Sequence, residues 1–570
     1  MGELLTAKNQ NSSLVFAYDN LGNVVSETQN GHTVESGYSK DNIGVLTSLK
    51  TSLGLNMDIG LNGFGQAESI TASMGDSVYK CGMAYNAIGQ MTERTVETAN
   101  NGGIVDTWGY DNAGRPTQQT LRISHRESSN RQYKWENGDQ IKSIIDSISN
   151  MGAEYSYGKH GNAEVESFKT PKLIAKRPGN AQTTTIRYLD ETGKEYEFRS
   201  KMDKKYTPGG QLISSGMRKY EYNDCGDLFK KTERDGKVWV YVYTVGGLLE
   251  KVIRPDMKEA TFLYDPLGRR ISKTFDGKTT KYLWNGNTVI HEWVEQEGDA
   301  STEETQPQNV QTWLYEDGTF TPIAKLTEKG SYAVITDHLG TPKELVDQQG
   351  NVVWRATLDL YGMVRYKEGG ETEETNCNIR FPGQHEDEET GLYYNRFRYY
   401  LPSEGIYTQR DPIGLAGGNP TVYGYVWSTL TCVDPLGLLG YWGRRLNRAG
   451  LQRPSGMIRP HGHHIVFQGA LVGTHNIEMR NVLNQSRGVL NRFRIDPVND
   501  LAGLMWAPNR GHTLATATQV RNGLLEAESV IRSAVARGEI NLNNPSDFIN
   551  AREFMRERLQ GIGQDVFGCR

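Results

Sequence analysis

Through most of this 570-residue chain, apolar and polar residues alternate in short runs that are repeatedly broken. Asn23-Val24-Val25-Ser26-Glu27-Thr28 reads as one such run, a half-buried strand with a two-residue period. The breaks share a form. Tyr18-Asp19-Asn20-Leu21-Gly22, Tyr85-Asn86-Ala87-Ile88-Gly89, Tyr110-Asp111-Asn112-Ala113-Gly114, Tyr222-Asn223-Asp224-Cys225-Gly226 and Tyr264-Asp265-Pro266-Leu267-Gly268 are copies, with degenerate ones near Tyr38, Tyr157 and Tyr188. An Asp or Asn opens a turn by bonding its own backbone, and glycine takes the positive-φ position that closes it. The tyrosine ends a strand with a half-buried ring, and one ring per unit is what packing of a sheet wall needs, rather than a sugar-binding stripe. The pattern predicts repeated hairpins in an elongated or closed sheet.

Beyond residue 438 the period changes. Ile477, Val482, Leu483, Val489, Leu490 and Phe493 fall at near-helical spacing between Asn476 and Arg494. Thr513 to Arg537 and Pro545 to Leu559 read as two further helices, the last capped by Asn544 or Ser546. Among these elements, His461-Gly462-His463-His464-Ile465-Val466 starts a short strand, Ile495 to Pro508 reads as a turn and then an apolar strand, and Asn509-Arg510-Gly511-His512-Thr513 opens a helix.

Composition agrees with many short strands: 63 glycines, 29 tyrosines against 15 phenylalanines, and no apolar run near the ~18 residues of a spanning helix. The chain is too aromatic to be disordered. Five scattered cysteines without a CxxC pair fit reduced thiols, and no charged-then-apolar leader opens the sequence. The net charge of −5 conceals a split. Residues 439–570 hold 17 arginines, no lysine and 10 acids, a net of +7, leaving −12 and 28 of the 29 tyrosines to the first 438. The second module is basic enough to face a polyanion.

The repeats resemble the YD repeats of the Rhs family and the related insecticidal toxin-complex shells. The resemblance tightens over Arg380-Phe381-Pro382-Gly383-Gln384, Glu389-Thr390-Gly391-Leu392-Tyr393-Tyr394-Asn395-Arg396-Phe397-Arg398-Tyr399-Tyr400 and Gly405 to Leu415, ending at Asp434-Pro435-Leu436-Gly437-Leu438. It implies a mainly β fold, a spiral β-sheet cocoon over 1–379 closed by 380–438, and a tip over 439–570 cut free between Leu438 and Leu439. Asp411 and Asp434 are then a carboxylate pair, one ionised to activate water and one protonated to polarise the scissile carbonyl. Arg410 either orients the pair or simply ion-pairs with Asp411. One departure is Trp427-Ser428-Thr429, where the family usually has Asn-Asn-Pro.

In the tip, a His-His pair, then Asn, then His at a helix start resembles the HNH nuclease superfamily, closest to its AHH branch, an α+β unit of ββα-metal type. The resemblance implies His464 as general base, with His463 and His512 holding a divalent metal; the roles within the His463–His464 pair are exchangeable. Asn499 is the central asparagine with Asn509 its competitor, and Asp500 a supporting group. Mg²⁺ is the first expectation for the ion, with Zn²⁺, Mn²⁺ and Ni²⁺ as alternatives. The expected function is a secreted antibacterial effector that delivers a DNase into the cytoplasm of a target cell. Its implied partners are DNA, a cognate immunity protein and a type VI spike or adaptor, the last contacted through an N-terminal region not in this sequence. An RNase tip, or a YD-repeat adhesion protein with a non-enzymatic tail, are the competing readings.

Overall fold

The structure is a computed structural model. It describes the chain outside residues 1–2, 21, 40–44, 64, 88–89, 100–101, 137–139, 158–162, 170–173, 177–184, 190–194, 200–203, 297–306, 415–420, 427, 439–459, 465–485, 487–488, 491, 494–503, 509–513, 543 and 568–570. The described residues are mainly β, as the alternating pattern predicts. Eighteen strands from Thr6–Lys8 to Glu195–Arg199 form one sheet, and sixteen from Lys204–Tyr206 to Val364–Gly369 form a second. Successive strands pair antiparallel.

The repeat unit is a bulged hairpin, and Tyr264-Asp265-Pro266-Leu267-Gly268 shows why the sequence makes it. The Asp265 carboxylate accepts the N–H groups of Leu267 at 2.9 Å and Arg269 at 2.8 Å. Gly268, at φ 73°, donates its N–H to Asp265 O. The register shifts beside the tyrosine at Tyr18, Tyr38, Tyr110, Tyr222, Tyr243 and Tyr264 alike, and each bulge adds local twist. The hydroxyls supply what phenylalanine lacks. Tyr18, Tyr38, Tyr157, Tyr243 and Tyr264 donate to the carbonyls of Leu4, Val24, Ile141, Leu228 and Leu249, tying each hairpin to the one before it.

The two sheets share one apolar core. Leu55, Met57, Ile70 and Ala72 of the first pack with Leu283, Leu314, Leu326 and Ile335 of the second. Buried charges cross the same seam: Arg131 pairs with Glu344, and Arg269 with Glu27 at 2.5 Å. The Gln29 amide both donates to and accepts from the Trp284 backbone, at 2.6 and 3.0 Å. Buried charge is costly unless paired, so these contacts specify one registration of the sheets.

The chain divides into two compact units, the second comprising Leu438–Arg570 with Tyr85–Met91 and Ile413–Pro420. In the second unit, strands Pro460–His464 and Leu504–Pro508 pair antiparallel. Helices Leu514–Ala536 and Pro545–Phe567 follow. Asn544 caps the latter, its side chain accepting the Asp547 N–H. That helix runs past the predicted end at Leu559, because Ile562 packs on Gly523 of its neighbour and outweighs the weak propensity of Gly561 and Gly563. Of the helix predicted from Asn476, Ser486, Val489, Leu490 and Arg492 are helical and the remainder lies outside the described residues, apart from Phe493 in a turn.

Candidate functional site

A small four-stranded sheet, His385–Asp387, Leu392–Asn395, Arg398–Leu401 and Ile406–Tyr407, carries the first candidate site. Its strands are short and almost wholly buried, and three anchors fix it to the sixteen-stranded sheet. Asp387 accepts Arg270 at 2.6 Å and Lys273 at 3.1 Å. Glu404 receives Lys204, Arg218 and the Tyr220 hydroxyl at 3.0, 3.1 and 2.7 Å. Arg396, in a tight turn at φ 55°, donates to the Gly268 and Leu267 carbonyls of a repeat turn.

This platform brings Asp411 and Asp434 together although 22 residues separate them in sequence. Asp411 is placed by its backbone N–H donating to Val422 O at 2.8 Å. Asp434 enters on the turn Asp434-Pro435-Leu436-Gly437, which is held at several points. Asn395 Nδ2 donates to Asp434 O at 2.9 Å, Phe397 N–H to Leu436 O, and Arg398 Nε to Gly437 O at 2.6 Å. Gly383, at φ 85°, lies so close to Pro435 that a Cβ there would sit 2.1 Å from the Pro435 carbonyl oxygen.

The two carboxylates share one guanidinium nitrogen. Arg398 Nη2 lies 3.1 Å from Asp411 Oδ2 and 3.5 Å from Asp434 Oδ2. Arg398 is 1% exposed, Asp434 3% and Asp411 7%, so the triad works at low dielectric, where pairing is strong and an unpaired charge is costly. Arg398 also lies 3.6 Å from the centroid of the Tyr407 ring. The Tyr407 hydroxyl accepts from Asn395 Nδ2 at 2.7 Å and donates to Asp434 Oδ2 at 2.9 Å. Burial, and then the Asp434 charge, push the Tyr407 phenol well above its usual range, so it remains a donor. Tyr400, Tyr425 and Phe381 pack around it.

Arg410 takes a different place from its sequence expectation. It is exposed, its side chain lies over Gly226, and its backbone N–H bonds the Asp227 carboxylate. The guanidinium that reaches both carboxylates is Arg398's. Sequence reasoning also passed over Tyr407 and Asn395. The available signal was an arginine between Phe397, Tyr399 and Tyr400: a cation in an aromatic strand must find a buried partner. Leu438 follows Gly437 directly, and Leu439 lies outside the described residues.

The tip offers the second candidate site. The strand holding His463 and His464 pairs with Leu504–Pro508, with His464 opposite Leu504 and His463 opposite Met505 in the Cα register. Helix Leu514–Ala536 comes next, so two antiparallel strands precede a helix in the order the sequence predicts. Asn499, Asp500, Asn509 and His512 lie outside the described residues. Part of the arginine excess is already neutralised: Arg492 and Arg532 both grip Glu528, at 2.6 and 2.8 Å, and Arg537 pairs with Glu539. Among the described residues no helix is long and apolar enough to cross a membrane, and no group of three or more metal-binding side chains occurs.

Residues 172–415 match the Teneurin YD-shell family. The chain is 27% identical to double-stranded DNA deaminase toxin A of Burkholderia cenocepacia over 466 residues, which are 75% of this chain and 30% of that protein. It is 27% identical to "Probable deoxyribonuclease RhsB" of Dickeya dadantii over 379 residues, 63% of this chain and 24% of that one. The chain thus spans less than a third of either relative. Among solved structures, a crystal structure titled TcdB2-TccC3 is similar over 76% of this chain and 28% of that one, at 15% identity and a TM-score of 0.36.

Proposed function

The chain belongs to the Rhs/YD-repeat family, and from that membership we propose that it is a secreted toxin that cuts itself between Leu438 and Leu439 and so releases a metal-dependent nuclease tip. The observation that carries the reading is the shared guanidinium: Asp411 and Asp434 meet on Arg398, and the same Arg398 holds the Gly437 carbonyl next to the proposed cut. Water attacks the Leu438 carbonyl carbon, one aspartate takes the water proton, and the other protonates the departing Leu439 nitrogen. Arg398 offsets the mutual repulsion of the pair, and Tyr407 and Asn395 fix Asp434. Asp411→Asn is expected to leave one full-length band on a denaturing gel where the parent gives two. Two bands from both proteins overturn the dyad.

The tip reading rests on the strand–strand–helix order, the His463–His464 pair and the net charge of +7 over 439–570. Imidazole donors suit a divalent ion. His463 and His512 would hold it, and when bound it supplies charge stabilisation at the scissile phosphate. His464 would accept the proton of the attacking water, with Asn499 or Asn509 ordering the loop and Asp500 supporting it. Both relatives are named for chemistry on DNA, which favours DNA as substrate. An immunity protein that blocks the tip, a type VI spike or adaptor as carrier, and entry into a rival cell's cytoplasm complete the proposal.

A further inference from the structure

We propose that the Lys273 amine condenses with the Asp387 carboxyl, and that the resulting amide staples the small sheet covalently to the sixteen-stranded one. Lys273 Nζ lies 3.1 Å from Asp387 Oδ1 and 3.0 Å from Glu389 Oε1. Among the described residues it is the one lysine that meets two carboxylates; Lys204, Lys231 and Lys258, for example, each meet one. Both backbones are fixed. Lys273 is paired on either side, with Phe262 and Thr280, and the Asp387 carbonyl accepts the N–H groups of Thr390 and Gly391 at 3.0 and 2.8 Å. The second oxygen of the carboxyl, Asp387 Oδ2, is held by Arg270 Nη1 at 2.6 Å. Asp387 is wholly buried, and the rings of Phe262, Tyr282, Tyr394 and Tyr399 surround Arg270 and keep water from that oxygen.

The step balances without any other reactant. The resting groups are an ammonium and a carboxylate: the Arg270 and Lys273 charges outweigh burial and hold Asp387 ionised, and the Asp387 charge outweighs burial and holds Lys273 protonated. Glu389 is the proton carrier. Burial pushes its carboxyl above the usual range, against the pull of Lys273, so it takes a proton readily. Once Glu389 accepts a proton from Nζ, the freed lone pair attacks Asp387 Cγ. The C–N bond forms, and Arg270 stabilises the charge that gathers on Oδ2. Glu389 passes both ammonium protons in turn to Oδ1, the Cγ–Oδ1 bond breaks, and Oδ1 leaves as water. Glu389 ends ionised, facing Arg270, so one buried ion pair disappears and the charges left behind still balance. Groups held in contact react as if at an effective concentration on the order of 10⁵ M or more, which offsets the unfavourable condensation seen in dilute water.

The amide would join residues 114 apart in sequence, and both lie before residue 438, so its test is independent of self-cleavage. The purified full chain is weighed intact and then digested with trypsin. The polypeptide that contains residues 1–438, whether or not the tip has been cut away, should be lighter than its sequence by one water molecule. The digest should contain a branched peptide joining the Lys273 and Asp387 segments, with no cleavage after Lys273. Asp387→Asn should form the same amide with loss of ammonia in place of water, and Lys273→Arg should show the full sequence mass and no branched peptide. Glu389→Gln should slow the cross-link on the order of 100-fold, read as the fraction still at full mass. A parent at full sequence mass, cut by trypsin after Lys273, overturns the inference whatever the variants do. A water loss mapped to any other pair of residues overturns it equally, and parent-like cross-linking in Glu389→Gln overturns the role given to Glu389.

Discussion

At the scale of single residues, the site is a set of close approaches that admit little change. Gly383 is required because its φ of 85° and its contact with the Pro435 carbonyl leave no room for a Cβ. Gly383→Ala should push the Asp434-Pro435 turn away from Arg398 and slow self-cleavage at least about 10-fold, the effect of roughly 1.4 kcal/mol. A time course on denaturing gels checks it, and a parent-like rate would show that the turn is not set by this contact. The sequence announced Asp411 and Asp434 through their Asp-Pro steps and their place in an ordered series. It did not announce Arg398, because the partners lie 13 and 36 residues away and meet only when the small sheet folds. The neighbouring Arg410 was the natural choice from sequence, and adjacency along a chain does not decide which side chains meet.

At the scale of elements, the hairpins were legible because turn chemistry is local: the Asp, the Gly and the Tyr lie within five residues. The seam between sheets was not, because it joins residues some 200 apart, as with Arg131 and Glu344. Buried titratable groups at these contacts make the fold acid-sensitive. His291 bonds the Thr312 and Thr51 hydroxyls from the two sheets, and burial pushes its pKa down to about 3. Burial holds His385, in the small sheet, at about 4. Both imidazoles bind protons more readily when unfolded, near pH 6.5, so stability should fall as pH drops below 6.5 and keep falling to about 4. Burial raises the Glu404 carboxyl, but the Lys204 charge and the Tyr220 hydroxyl more than offset this, leaving it below its usual range. Its contribution is present above the unfolded value and is lost as pH falls through the lowered one. Thermal unfolding should therefore show a Tm that declines from about pH 6.5 to pH 4, and His385→Gln should make that decline shallower. A flat Tm across this interval would mean that these histidines are not held neutral.

At the scale of the whole molecule, the composition split at residue 438 coincides with the end of the unit that contains the two large sheets, at Gly437. The acidic module is an array of interlocking hairpins, and the basic one has strands, helices and a histidine pair instead. The fold of the array was readable because each unit repeats the same local chemistry. The tip was readable only as an order of elements, because its candidate residues are scattered from His463 to His512. Its activity is checked with cleaved full-length chain and supercoiled plasmid: nicking under Mg²⁺ or another divalent ion, abolished by chelator and by His464→Ala, is the expected outcome. An intact plasmid under all four candidate ions, or nicking that survives chelator, would contradict the tip assignment.

The central claim is that the chain cuts itself at one bond through Asp411 and Asp434. Intact-mass measurement of the purified chain tests it most directly. The parent should yield two polypeptides with the masses of residues 1–438 and 439–570, and Asp434→Asn one polypeptide of 570 residues. A single full-length mass from the parent, a cut at another bond, or the same two fragments from Asp434→Asn would contradict it.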